Sequence, residues 1–193
     1  MLALHVFPEF EVGTVGFRSG KYMAACDEFS VVITGKGGHA ALPNQVINPI
    51  TAASELILSV KDIVSKIPTD DQYILEFGDF HAFGASNVIP EEARLQGTLR
   101  TLSEEFRKQA HISVQLEAQK IAKKYSVKCD FKIIKGYPNL YNNPEFTQNC
   151  KKISQSFLDK GAVKDLDLRM SSEDFSYFSQ NCPSCFFRLG VAN

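Results

Sequence analysis

Apolar positions recur along this chain with two different periods, and their succession lays out the fold. Phe29-Ser30-Val31-Val32-Ile33 alternates with the period of a strand and predicts one over residues 27–35. Ile50, Ala53, Ile57, Val60, Val64 and Ile67 then recur at three- and four-residue spacing, the pattern of an amphipathic helix. Asn48 and Pro49 supply its N-cap and first-turn proline, while Pro68 and Thr69-Asp70-Asp71 stop it. Residues 73–80 and 93–102 read as two further strands. Ser103, followed by Glu104 and Glu105, opens a second helix with the stripe Phe106, Ala110, Val114, Ala118, Ile121 and Tyr125. Val127, Cys129, Phe131 and Ile133 alternate as a last strand.

The order β-α-β-β-α-β predicts a ferredoxin-like unit over 26–136: a four-stranded antiparallel sheet with both helices on one face. The other face and the sheet edges stay available to a partner. Around it, residues 2–7 form a short apolar run, a buried strand with His5 near its end. Residues 9–25, with Gly13, Gly16 and Gly20, read as a hairpin-like link ending in the hinge Met23-Ala24-Ala25. Gly136-Tyr137-Pro138 marks the return. Asn143-Pro144-Glu145 opens a third helix to about Lys160, and Ser171 or Ser172 caps a short fourth one carrying Glu173, Asp174 and Phe175. The strand 185–189 ends the chain. The outer domain is thus expected in two pieces, 1–25 and 137–193.

Composition narrows the function classes. The 193 residues are 44% hydrophobic and 22% charged, with a net charge of −1. That balance offers no electrostatic case for nucleic acid or an anionic membrane surface. No paired aromatics on the middle strands suggest base stacking. No apolar run approaches the ~20 residues of a membrane span, and Met1-Leu2-Ala3-Leu4-His5 lacks the basic start of a signal peptide. A cytoplasmic protein is the expectation. Five scattered cysteines argue against a disulfide framework. Cys182-Pro183-Ser184-Cys185 has no second pair to make a zinc ribbon and runs into a strand, so it reads as structural.

Several residues could carry chemistry. His39 follows three glycines in Thr34-Gly35-Lys36-Gly37-Gly38-His39-Ala40-Ala41-Leu42-Pro43. A loop histidine after flexible glycines can meet a ligand, or can be an ordinary surface group. His5, taken alone, reads as a satisfied core histidine before it reads as a metal ligand. Asn87 sits in a loop between strands and Arg100 late in a strand, where a turn role and a surface ion pair are the plain alternatives. Glu173 and Asp174 suit the N-terminus of a helix. His111 reads as a solvated helix residue and His81 as a strand-end one.

Four ordered stretches change this picture: Leu4-His5-Val6-Phe7-Pro8; Gly35 to Pro43; Asn87-Val88-Ile89-Pro90 with Gly97-Thr98-Leu99-Arg100-Thr101; and Ser172-Glu173-Asp174-Phe175-Ser176. Together they resemble the metal-dependent amidohydrolases, the family of acetylornithine deacetylase, aminoacylase, hippurate hydrolase and the plant indole-acetyl-amino-acid hydrolases. The resemblance implies a lid, or dimerisation, domain at 26–136 inserted into an α/β metallohydrolase catalytic domain. It implies hydrolysis of N-acyl amino acids or similar small amides with two divalent ions, zinc or manganese. His5 corresponds to a metal ligand and His39 to an oxyanion-stabilising group, reaching into a neighbouring subunit in dimeric members. Asn87 and Arg100 correspond to substrate contacts, with the Arg100 guanidinium suited to a carboxylate. Glu173 and Asp174 lie beside the site with no assigned role, and the partner implied is a second copy of the chain.

The match extends over the second half of a family member. The Gly-Cys-Gly-His-Asp segment and the Glu-Glu pair, which supply metal ligands and the general base, find no counterpart here, nor does the closing histidine ligand. The expectation is a fragment with an incomplete catalytic domain, inactive alone. A non-catalytic dimerisation module, or a two-chain enzyme, is the alternative. Phe186 and Phe187 are expected to be bare and to favour self-association.

Overall fold

The computed structural model describes all 193 residues, in two compact units: Met1–Cys26 with Tyr137–Asn193, and Asp27–Gly136. In chain order the elements are β1 (Leu2–Glu11), β2 (Val15–Phe17), β3 (Gly20–Met23), β4 (Ala25–Thr34), β5 (Gly38–His39), α1 (Pro49–Ser65), β6 (Tyr73–His81), β7 (Val88–Ile89) and β8 (Glu92–Thr101). There follow α2 (Glu104–Tyr125), β9 (Lys128–Lys135), β10 (Leu140–Asn142), α3 (Pro144–Phe157), β11 (Val163–Asp165), α4 (Ser176–Ser179) and β12 (Cys185–Ala192).

The central unit has the expected α/β order. Its sheet runs β6-β8-β4-β9, with β6–β8 and β4–β9 antiparallel. Phe29, Val31 and Ile33 of β4, Leu95 and Leu99 of β8, and the apolar stripes of both helices form one core, so the helices share one sheet face. The Asn48 side chain accepts from Ile50 N–H, and the Ser103 hydroxyl from Phe106 N–H, satisfying donors that each helix start leaves open. α1 turns Ala52 and Leu56 inward along with Ala53, Val60 and Val64, whereas Ile57 is only half-buried.

The outer unit is a four-stranded mixed sheet, β1-β12-β2-β11, plus the antiparallel pair β10–β3. β1 lies parallel to β12, with His5 opposite Arg188. The residues expected to form a hairpin-like link do not. β1 continues to Glu11, a turn at Gly13 (φ 86°) follows, and β12 then lies between β1 and β2, taking the backbone bonds of both. The β11 strand, parallel to β2, gave no periodic signal because it is only three residues long.

Three further expectations are corrected. α3 stops at Phe157, where Leu158 turns extended. Glu173, Asp174 and Phe175 form a turn ahead of α4 instead of its first residues, with Ser176 N–H bonded to Glu173 O at 3.2 Å. Phe186 is buried against Tyr22 and Phe175, and Phe187 stacks on Phe17 at 5.2 Å. The bare apolar positions are instead Leu2, Leu4 and Val6 on one face of β1, each about half exposed.

Candidate active site

In the central unit the glycine-rich loop is built by close approach. A Cβ on Gly35 would meet the Ile47 carbonyl oxygen at 2.1 Å, so no side chain fits there. Lys36 and Ile47 exchange backbone hydrogen bonds at 2.9 Å. The loop then forms the two-residue strand β5, antiparallel to β7, with His39 opposite Val88. Ala40 N–H bonds to Asn87 O at 2.9 Å, so His39 and Asn87 are brought to neighbouring positions.

The His39 ring is oriented locally. Ala41 N–H donates to its Nδ1 at 3.1 Å. A nitrogen that accepts cannot also carry the proton, so the neutral ring bears it on Nε2 and presents a donor there. His39 itself is exposed.

Arg100 lies elsewhere. The His39–Asn87 pair precedes the start of β8, and Arg100 is its ninth residue, opposite Ile74 of β6. Eight residue steps along a strand put it roughly 26 Å from Glu92. Within one copy of this unit, His39 and Arg100 cannot touch the same small molecule.

Near Arg100, Thr98 Oγ1 donates to Asp27 O at 3.0 Å. Asp27 centres a buried cluster that the sequence did not reveal. Arg107 Nε donates to Oδ2 at 2.8 Å and Nη2 to Oδ1 at 2.5 Å, while His111 Nε2 donates to Oδ2 at 2.6 Å. Gly136 N–H adds a bond to Oδ1 at 3.1 Å. Burial alone raises the Asp27 carboxyl, but the Arg107 and His111 hydrogen bonds and charges outweigh it and hold it at about 2. His111, expected in solvent, is therefore buried, because its ring completes this carboxylate's hydrogen bonding.

In the outer unit His5 is exposed on β1, and its Nδ1 donates to Val6 O at 2.8 Å. That leaves the Nε2 lone pair outward, the arrangement that metal-ligating histidines use. Glu173 is within electrostatic reach of this ring. Burial, the Asp174 hydrogen bond and the Asp174 charge raise the Glu173 carboxyl above its usual range, with His5 opposing them. No group of three or more His, Cys, Asp or Glu side chains in the chain could hold a metal ion. One imidazole beside one carboxylate does not fit a two-metal centre. No helix is long and apolar enough to cross a membrane.

A lid-type ferredoxin-like unit carrying a backbone-oriented histidine on a short β-pair defines the class, and the comparisons define the family. The model of the peptidase dimerisation domain of the M20 family matches residues 26–126. The chain belongs to the M20 amidohydrolase and peptidase family. It is 37% identical over 198 residues to an N-acetyldiaminopimelate deacetylase of Enterococcus faecalis, covering 99% of this chain and 51% of the deacetylase. It is 30% identical to thermostable carboxypeptidase 1 of Saccharolobus solfataricus, covering 100% of this chain and 49% of that protein. The crystal structure of a dinuclear metal binding peptidase of the M20 family from Bacillus subtilis superposes with a TM-score of 0.73 at 25% identity, over 98% of this chain and 47% of that one. The chain spans about half the length of the curated relatives it matches.

Proposed function

We propose that this chain provides the lid and part of the catalytic domain of a metal-dependent amidohydrolase acting on N-acyl amino acids or similar small amides. The observation that carries the reading is the Ala41 N–H to His39 Nδ1 bond, which leaves His39 Nε2–H as a fixed donor next to Asn87. Such a donor suits an oxyanion as it develops on a carbonyl oxygen. Asn87 and Arg100 hold the substrate, Arg100 by its carboxylate. Since the His39–Asn87 pair precedes the start of β8 and Arg100 lies near its end, one substrate meets both only when they come from different subunits.

A homo-oligomer through the lid therefore belongs to the proposal. Of the two free sheet edges, β9 carries Lys128, Asp130, Lys132 and Lys135, charges that discourage strand pairing. β6 carries two acids, Glu76 and Asp79, and exposes Ile74 and Phe80 where β9 exposes Ile134, and we assign pairing to the less charged β6 edge.

His5 is the proposed ligand to one of two divalent ions, zinc or manganese, which when bound supply Lewis-acid activation of water. The described donor set does not complete that centre, so we assign no step through it and expect the isolated chain to be inactive. A non-catalytic dimerisation module is the second reading, favoured by the family match at 26–126.

A chimera tests the first. This chain replaces the aligned half of the Enterococcus faecalis deacetylase, and release of amino acid from N-acetyl substrates is followed. Turnover that falls roughly 100- to 1,000-fold in His39→Ala, the usual loss of one oxyanion donor, supports it. A folded, metal-loaded chimera without turnover, or one indifferent to His39→Ala, favours the second reading.

A further inference from the structure

Arg188 of β12 is a buried cation that no carboxylate of the chain meets. It stands opposite His5 in the β1–β12 register, and its guanidinium lies over the Phe7 ring at 6.0 Å. Phe7 is two residues beyond His5, so all three share one face of the sheet. Phe186 at 5.2 Å and Tyr22 at 5.9 Å complete an aromatic wall around the cation. Only 5% of Arg188 is exposed. Nε donates to the Tyr22 hydroxyl at 2.9 Å, and Nη2 reaches the weak acceptor Met23 Sδ at 3.4 Å. No group of the chain accepts from Nη1. The side-chain atoms both sealed and unpaired are Thr147 Oγ1 and Ser176 Oγ, so Nη1 keeps an opening to the surface.

A guanidinium stays charged, and burying one without a counter-charge is costly. The three rings offset part of that cost but bring no negative charge. Nearby acids are engaged elsewhere: Glu9 pairs with Arg169 at 2.8 Å, and Glu173 interacts with Asp174 and His5. Arg169 also lies over Phe7, at 4.6 Å. The charges that act on Tyr22 are those of Arg188, Arg169 and Arg18, all cationic. The local field is therefore positive.

We propose that Arg188 binds a small organic carboxylate, which lies against the Nη1 end of the guanidinium on the His5 face while Tyr22 holds the Nε end. Arg169 is already paired with Glu9, so Arg188 has one positive charge to neutralise, which suits a carboxylate better than a phosphate dianion. Resting on the amidohydrolase reading, the substrate then carries a second acidic group, apart from the carboxylate assigned to Arg100.

Calorimetric titration of the purified chain with succinate, its uncharged diamide succinamide and inorganic phosphate tests the site. The expected result is saturable succinate binding, no response to succinamide, weaker binding of phosphate, and affinity for succinate roughly 10- to 100-fold lower in Arg188→Met, the worth of one charge-assisted contact. Arg188→Gln, which keeps a polar donor, repeats the comparison should Arg188→Met fail to fold. No succinate binding by the folded wild type, equal affinity in the variants, or phosphate bound as tightly as succinate overturns the proposal. The folded chimera with the Enterococcus faecalis half should bind succinate too. Binding by the isolated chain that the chimera lacks would mean that an acid of the other half meets Arg188, and the small-molecule assignment falls. These readouts need no turnover, so they stand apart from the fate of the amidohydrolase reading.

Discussion

Asp27 and Arg107 meet in a buried two-point ion pair, Nε to Oδ2 at 2.8 Å and Nη2 to Oδ1 at 2.5 Å, where the central unit begins and ends. The same carboxylate binds Gly136 N–H, and Arg107 Nη2 also donates to Gly136 O at 3.1 Å. First and last residues of the unit are thereby tied to one helix. With Asp27 only 1% exposed, its removal leaves Arg107 buried and uncompensated. Asp27→Asn is expected to cost about 3–5 kcal/mol, read from urea unfolding at neutral pH.

The pH dependence follows from the direction of the shift. The folded Asp27 carboxyl titrates at about 2, below its ordinary 3.8. Its contribution to stability is complete above the unfolded value and disappears as pH falls from about 4 towards 2. Wild type should lose stability through that window, and Asp27→Asn should show a shallower loss there. Parallel acid slopes in the two proteins contradict the assignment.

Arg100→Lys keeps the charge and loses the fork. In an active assembly it should raise KM for substrates with a free carboxylate roughly 10- to 100-fold, the worth of a charge-assisted bond of about 1.5–3 kcal/mol. Amide-capped analogues should be unaffected. Equal loss on both substrate types places Arg100 outside substrate recognition.

Ile74→Lys on the β6 edge is expected to shift the chain towards monomer in sedimentation, while Lys132→Ile on β9 leaves the assembly size unchanged. The reverse result moves the interface to β9.

Asn142 is fully buried; Nδ2 donates to Arg18 O at 2.8 Å and Phe186 O at 2.9 Å, and Oδ1 accepts from Phe186 N–H. Asn142→Ala should destabilise the outer unit by about 3 kcal/mol, since three bonds vanish and the Phe186 N–H and C=O stay buried. Thermal unfolding measures it.

The central unit was legible because its strands and helices are long enough for periodicity to show, as in β4 and α2. The outer unit was less so. β2, β10 and β11 have three residues each and are specified by pairing with distant segments. Glu173 to Phe175 carry helix-start chemistry yet form only a turn, because four residues of α4 are all that follow. His111 looked solvated because its helix position is polar in type. Only the fold brings Asp27, eighty-four residues away, to its ring. His39 and Asn87 were visible as motif residues, but the Ala41 bond that sets the His39 tautomer and the separation of Arg100 along β8 needed three dimensions.

The most direct test of the account is metal content together with N-acetyl-amino-acid hydrolysis by the purified chain, with manganese or zinc supplied. His5 is the one metal ligand proposed in this chain, so no metal should be retained through gel filtration and no amino acid released. Two ions retained per chain, with metal-dependent release of amino acid, contradict it.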